Sequence, residues 1–168
     1  ADIDVVASYA GGIVGCSLGK SITNCKNTAL VKGKASAGGI VGESNSAGII
    51  MDKLANTGKI DRYNASGAAA GIIGQLKAAT DVTNSYNLGD IVGGTGGSNA
   101  IIGCYHKNVA ETTKAVEIKI TNCYSTQLTT LVPENSNENL KVTVTASYLS
   151  TDAALTSEET LKAAGWDF

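Results

Sequence analysis

GGIVG at residues 11–15 returns unchanged at residues 38–42, then as AGIIG at 70–74 and NAIIG at 99–103. The closing glycines, Gly15, Gly42, Gly74 and Gly103, stand about 27 to 32 residues apart, the period of a supersecondary unit. A second block keeps the same period: SITNCKNTALV at 21–31, IMDKLANTGKI at 50–60, DVTNSYNLGDI at 81–91 and KITNCYSTQLT at 119–129. A partial further copy, VTVTASYLS at 142–150, holds Val144, Ser147 and Tyr148 in step. Two blocks that agree on one period define a repeat, and the repeat decides the fold.

Aligning the copies produces rows. Ile13, Ile40, Ile72 and Ile101 form one, with Val14, Val41, Ile73 and Ile102 beside it. Ile22, Met51, Val82, Ile120 and Val144 form another, and Val31, Ile60 and Ile91 a third. The segments are short, β-branched and bounded by Gly, Asn or Ser, which predicts strands. One such coil cannot bury its own apolar face, whereas stacked coils can. The expectation over residues 1–150 is therefore an all-β, parallel β-helix (a solenoid) of about 4–5 coils, with rungs about 4.8 Å apart. Its right-handed sense follows from the general rule for parallel crossovers. The repeat glycines are expected at corners that a side chain would obstruct. Two rows of asparagine, Asn24–Asn84–Asn122 and Asn27–Asn56–Asn87, are expected to be structural. Asn tolerates turn conformations, and its amide can bond to the next coil.

Composition narrows the function classes. The 168 residues carry a net charge of −2, and Arg62 is the only arginine. Without a basic run, nucleic acid and anionic membrane are poor partners. The apolar stretches are too short for a membrane helix, and no signal peptide opens the chain. The opening ADIDVV, without Met, reads as a processed piece of a longer parent. Trp166, Phe168 and Pro133 each stand alone in their type, so the core must be thin layers of Ile, Val, Leu and Ala.

AGGIVG followed by ITNCKNT, and later ITNCYST, resembles the GLUG repeat of bacterial surface proteins, which also occurs in non-catalytic regions of IgA-cleaving metallopeptidases. The resemblance runs from about Ser8 to Tyr148. It implies a non-enzymatic repeat module, extracellular or on the bacterial cell surface, used in adhesion to a host glycan or extracellular-matrix protein. A structural stalk or spacer is one alternative, and an accessory domain of a secreted peptidase or glycan-active enzyme is another. Other domains of a larger parent chain would be its partners. Copy two departs with Leu54–Ala55, and the irregular stretches 105–118 and 131–141 are expected to be surface loops.

The closing EETLKAAGWDF resembles the segment that often ends such arrays, and residues 151–168 are expected to form a capping helix. Thr156 would be its N-cap, with Glu159 reaching back. Gly165 would stop it, and Trp166 and Phe168 would plug the C-terminal end of the stack.

Little in the sequence suggests catalysis. Asp52, Asp61, Asp81 and Asp90 sit at scattered repeat positions, not as an opposed pair. His106 is the only histidine, so no triad or His-rich metal site is indicated, and no cofactor is expected. Cys25 and Cys123 share a repeat position with Leu54 and Ser85, which predicts reduced thiols facing inward. Cys16 and Cys104 align with Glu43 and Gln75, which predicts a turn or the surface. Tyr86, Tyr124 and Tyr148 follow the inward row directly, so they are expected outside, as a ladder that could grip a ligand.

Overall fold

The computed structural model describes residues 2–5, 8–63, 67–92, 97–127, 130–149, 158–163 and 166. Strands come in sets of four. The first set is β1 (Ile3–Val5), β2 (Tyr9–Gly11), β3 (Val14–Ser17) and β4 (Ser21–Asn27). The second is β5 (Val31–Gly33), β6 (Ser36–Gly38), β7 (Val41–Ser44) and β8 (Ile49–Asn56). Next come β9 (Ile60–Arg62), β10 (Ala68–Ala70), β11 (Ile73–Leu76) and β12 (Thr80–Asn87). After them stand β13 (Ile91–Val92), β14 (Ser98–Asn99), β15 (Ile102–Tyr105), a short helix α1 (Lys107–Ala110) and β16 (Val116–Ser125). β17 (Leu140–Thr145), β18 (Tyr148–Leu149) and α2 (Glu158–Ala163) follow.

Each strand pairs in parallel with its counterpart one set away. The sheet orders are β1-β5-β9-β13, β2-β6-β10-β14, β3-β7-β11-β15 and β4-β8-β12-β16-β17, with β18 also on β16. The chain is all-β, a parallel β-solenoid. The rows read from the sequence are its registers: Val31 pairs Ile60, which pairs Ile91. Met51 pairs both Ile22 and Val82, and Val82 and Val144 both pair Ile120.

Two apolar cores fill the stack. The larger joins the third and fourth sheets through Ile40, Ile72 and Ile101, Met51, Val82 and Ile120, and their neighbours. Each fully buried aliphatic side chain there contributes about 1.5–3 kcal/mol. A thinner core of Ala10, Ala37 and Ala69 against Val31, Ile60 and Ile91 joins the first and second sheets. Alanine suits that place because the sheets nearly touch: a Cβ on Gly33 would lie 3.0 Å from that of Ala10. Terminal rungs are less covered. Ile13 is 46% exposed and Val144 44%, while Ile40, Ile72 and Ile101 are wholly buried.

The repeat glycines are not at corners. Gly15, Gly42, Gly74 and Gly103 lie within β3, β7, β11 and β15. What requires glycine is the neighbouring rung. A Cβ on Gly42 would stand 2.6 Å from the Gly15 carbonyl oxygen, one on Gly74 2.8 Å from that of Gly42, and one on Gly103 2.5 Å from that of Gly74.

The two asparagine rows do different work. Asn24, Asn84 and Asn122 are left-handed, with φ of 52°, 46° and 53°, and so are Lys53 and Ala146 at the same repeat position. Each bends its fourth-sheet strand and shifts the in–out alternation by one, and because every rung carries the same bend the register stays one-for-one across it. Asn bears this conformation more readily than Lys or Ala, which explains its recurrence. The residue after the bend turns inward and, where it is Cys or Ser, donates back to the carbonyl two residues earlier. Cys25 does so to Thr23 at 3.3 Å, Ser85 to Thr83 at 2.7 Å, Cys123 to Thr121 at 3.5 Å and Ser147 to Thr145 at 2.9 Å.

Asn27, Asn56 and Asn87 form a buried amide ladder. Asn27 Nδ2 donates to Asn56 Oδ1 at 2.8 Å, and Asn56 Nδ2 to Asn87 Oδ1 at 2.7 Å. Asn87 Nδ2 reaches Ser125 Oγ at 3.5 Å. Each amide also closes its own corner, donating to the carbonyls of Ala29, Gly58 and Gly89. The room for each amide comes from a glycine. A Cβ on Gly12 would lie 2.5 Å from Asn27 Cγ, one on Gly39 2.4 Å from Asn56 Cγ, and one on Gly71 2.2 Å from Asn87 Cγ. In the next copy the smaller Ser125 replaces Asn, and Ala100 replaces Gly.

The two irregular stretches, expected as surface loops, instead build the C-terminal end. Val109 of α1, 1% exposed, and Leu140, 3% exposed, belong to the main core, with Leu131 and Val132 packed on it. Asn137 Nδ2 donates to the carbonyls of Ala110 and Thr112, tying one stretch to the other. A stack end needs such a cover because its last apolar layer has no following rung.

Candidate functional site

The tyrosine row was the strongest sequence candidate. The left-handed bends at Asn84 and Asn122 turn Ser85 and Cys123 inward, so Tyr86 and Tyr124 face away from the main core. They do not face solvent. Each is 2% exposed, in a third cluster with Ala55 and Leu161 of α2, against which Leu88 and Trp166 also pack. Trp166 meets Tyr86 nearly edge-on at 6.4 Å between ring centroids and Tyr124 at 6.3 Å. Trp166 thus bridges β12 and β16, and Leu161 lies in the same cluster. Helix α2 and Trp166 lie along the flank of the fourth sheet, not over the end of the stack as expected.

This overturns an open tyrosine ladder: three aromatic rings in a chain poor in aromatics bury more area against each other than against water. Tyr148 pairs in register with Tyr124, and its side chain lies outside the described residues. So do Thr156, Gly165 and Phe168, while Glu159 is exposed. Tyr124→Ser should lower the melting temperature by roughly 5–10 °C, since truncating a buried ring costs about 3 kcal/mol. It should also red-shift Trp166 fluorescence. An unchanged melt and emission would return the tyrosine face to solvent.

Other reactive groups are engaged structurally. His106 caps α1, accepting from the Asn108 N–H at Nδ1, 3.2 Å away. Asp52 accepts from Thr83 Oγ1 at 2.6 Å and Asn84 Nδ2 at 2.8 Å. Asp61 accepts from the Arg62 N–H at 2.8 Å, on a different sheet. All four cysteines are free thiols. Burial pushes the Cys123 thiol up to about 12, which removes it as a nucleophile. Cys25 is half-buried at the edge of the core. Among the described residues, no three His, Cys, Asp or Glu side chains are placed to hold a metal ion.

One charged cluster was not foreseen. Glu43, expected at a turn or the surface, is 2% exposed in the middle of β7. Lys77 pairs with it at 2.9 Å and also stands 5.6 Å over the Tyr9 ring. Cys16 Sγ donates to Glu43 Oε1 at 3.6 Å. Burial, then the bond to Glu43, raises the Cys16 thiol and the Tyr9 hydroxyl above their ordinary values. The bond to Glu43 likewise raises Lys77. These groups neutralise a buried carboxylate; none is activated toward chemistry. The only sequence signal was Glu43 itself, standing in a row whose other members are Cys and Gln.

An exposed aromatic does exist, on the outer face of the first sheet. Tyr63 is 48% exposed, its hydroxyl bonded to Asp4 and its ring 4.9 Å from Lys32 Nζ.

Residues 6–31, the stretch holding Gly15 and the Asn24 bend, match the family model described as the GLUG motif. The chain carries a GLUG-motif repeat region. Met51, Val82 and Ile120 occupy the register of Ile22, so the rungs beyond the match repeat the GLUG rung. No curated protein and no solved structure matches the chain.

Proposed function

We propose that this GLUG-repeat module is non-enzymatic and serves as a rigid stalk in a bacterial surface or secreted protein, outside the cell. In this reading it is a right-handed stack of four to five coils, with its C-terminal helix packed against the flank of the fourth sheet. The observation that carries it is the Asn27–Asn56–Asn87–Ser125 ladder, which ties successive rungs together inside the stack and fixes their spacing. As an accessory domain of a secreted peptidase or glycan-active enzyme, the module would play the same part, holding a catalytic domain at a distance.

Adhesion to a host glycan or matrix protein is the second reading. What favours it is Tyr63, an exposed ring with a cation and a carboxylate at hand, which is the chemistry of a sugar contact. A binding screen against host glycans and matrix proteins, with Tyr63→Ser alongside, separates the two. The stalk reading expects no saturable binding. A saturable ligand lost in Tyr63→Ser would replace it with adhesion.

A further inference from the structure

The third sheet carries one row of heteroatom side chains, Cys16, Glu43, Gln75 and Cys104, paired in register from β3 to β15. Each thiol in that row faces an acyl side chain. Cys16 faces the Glu43 carboxylate and donates to it. Cys104 faces a carboxamide: Gln75 Nε2 donates to its sulfur at 3.5 Å. The difference is chemical. A carboxylate repels a thiolate, whereas a carboxamide is uncharged and carries a leaving group, ammonia. Cys25 and Cys123 donate to main-chain carbonyls instead.

The surroundings favour reaction at this pair. The carboxamide carbon is one C–N bond, about 1.33 Å, from Nε2, so it lies within about 4.8 Å of the sulfur. The last torsion of a glutamine side chain is broad, and turning it brings the carbon to the roughly 3–3.5 Å of a near-attack contact. A cation stands at the same place. A Cβ on Gly67 would lie 3.1 Å from Arg62 Cδ, and one on Gly97 3.7 Å from Cys104 Cβ. Those glycines lead into the paired strands β10 and β14, so Arg62, 4% exposed, and Cys104 meet at one corner. Burial raises the Cys104 thiol above its ordinary value, while the Gln75 bond and the Arg62 charge act the other way. The thiolate is therefore scarce at neutral pH, which makes a reaction slow, but it need happen only once in each chain. The same half-burial keeps water from the product.

We propose that Cys104 and Gln75 condense into an internal thioester that links β15 to β11 and serves as an acyl donor toward a primary amine. The Cys104 sulfur adds to Gln75 Cδ, forming the C–S bond and moving the carbonyl electron pair onto Oε1. The Arg62 guanidinium stabilises that oxyanion. Collapse breaks the Cδ–Nε2 bond, and the nitrogen leaves as ammonia with the thiol proton. A primary amine then reverses the sense: its nitrogen bonds to Cδ, the C–S bond breaks, and the sulfur leaves with the amine proton as a free thiol. No oxidant or reductant is needed. The inference goes beyond the stalk reading and does not depend on it.

The test is the intact mass of the full chain after incubation at mildly alkaline pH, which populates the thiolate. The mass should fall short of the sequence mass by one ammonia, and digestion should recover the Gln75 and Cys104 peptides joined. Methylamine should then open the bond, leaving an N-methylamide at Gln75 and one new titratable thiol. Cys104→Ser and Gln75→Glu should both keep their full mass. A parent chain that stays at its full mass overturns the proposal, and that result decides whether or not either variant folds. An ammonia loss that persists in Cys104→Ser overturns it too, since it would come from cyclisation of an asparagine. Joined peptides that methylamine leaves untouched would overturn the acyl-donor role.

Discussion

Gly42→Val is expected to lower the melting temperature by roughly 10 °C or more, or to prevent cooperative folding. A Cβ on Gly42 would lie 2.6 Å from the Gly15 carbonyl oxygen and 2.8 and 2.9 Å from backbone atoms of Ala10. Those neighbours are main chain, so relief requires parting two rungs, which breaks hydrogen bonds and opens both cores. Overpacking of a rigid core costs about 1–3 kcal/mol, and a clash with backbone on two sides belongs to the rarer class above about 4 kcal/mol. For a chain of this length each kcal/mol is about 2–4 °C. Thermal unfolding followed by circular dichroism measures it. A melt equal to that of the unsubstituted chain would show that the rungs are not stacked this closely at the third sheet.

The second large effect is a coupling. Gly71→Ala should destabilise by about 3 kcal/mol, since its Cβ would fall 2.2 Å from Asn87 Cγ and 2.3 Å from Asn87 Cβ. Asn87→Ser alone should cost about 2 kcal/mol. It removes the Oδ1 that accepts from Asn56 Nδ2 at 2.7 Å, in a site with no access to water. The double variant should be less destabilised than the sum by about 1–3 kcal/mol, because the alanine methyl fills space the carboxamide has left. The protein already contains this solution at Ala100 and Ser125. There Ser125 Oγ accepts from the Gln127 N–H at 3.0 Å and keeps the corner closed. A double-mutant cycle from denaturant unfolding gives the coupling directly. Strict additivity would mean that the glycine and the asparagine do not share space.

The rows were legible because stacking converts sequence period into register: Ile22, Met51, Val82 and Ile120 need only be counted to be paired. Orientation at the tyrosines was legible for the same reason, since an inward Cys123 leaves Tyr124 outward. Exposure was not. It depends on α2, more than thirty residues away in sequence from Tyr124, and no repeat position announces where a single terminal helix will lie. Glu43 was misplaced for a related cause. Its burial depends on Tyr9 and Lys77, which belong to the preceding and following rungs and whose repeat positions hold other residue types elsewhere, as Ser36 and Ala68 do for Tyr9. The glycines were recognised as necessary but assigned the wrong reason. A glycine in a sequence does not tell whether it is needed for a turn or for a close approach, and here the neighbouring carbonyl decides. The loop cover of the C-terminal end was hidden because Val109 and Leu140 stand in segments with no period at all.

The central claim is the parallel, in-register stack, and amide-proton NOE spectroscopy of the labelled chain tests it most directly. The account predicts interstrand contacts from Val82 to both Met51 and Ile120, and from Ile60 to both Val31 and Ile91. Strong Hα–Hα contacts between strands adjacent in the chain, such as β11 with β12, would instead mean antiparallel hairpins and would contradict the solenoid.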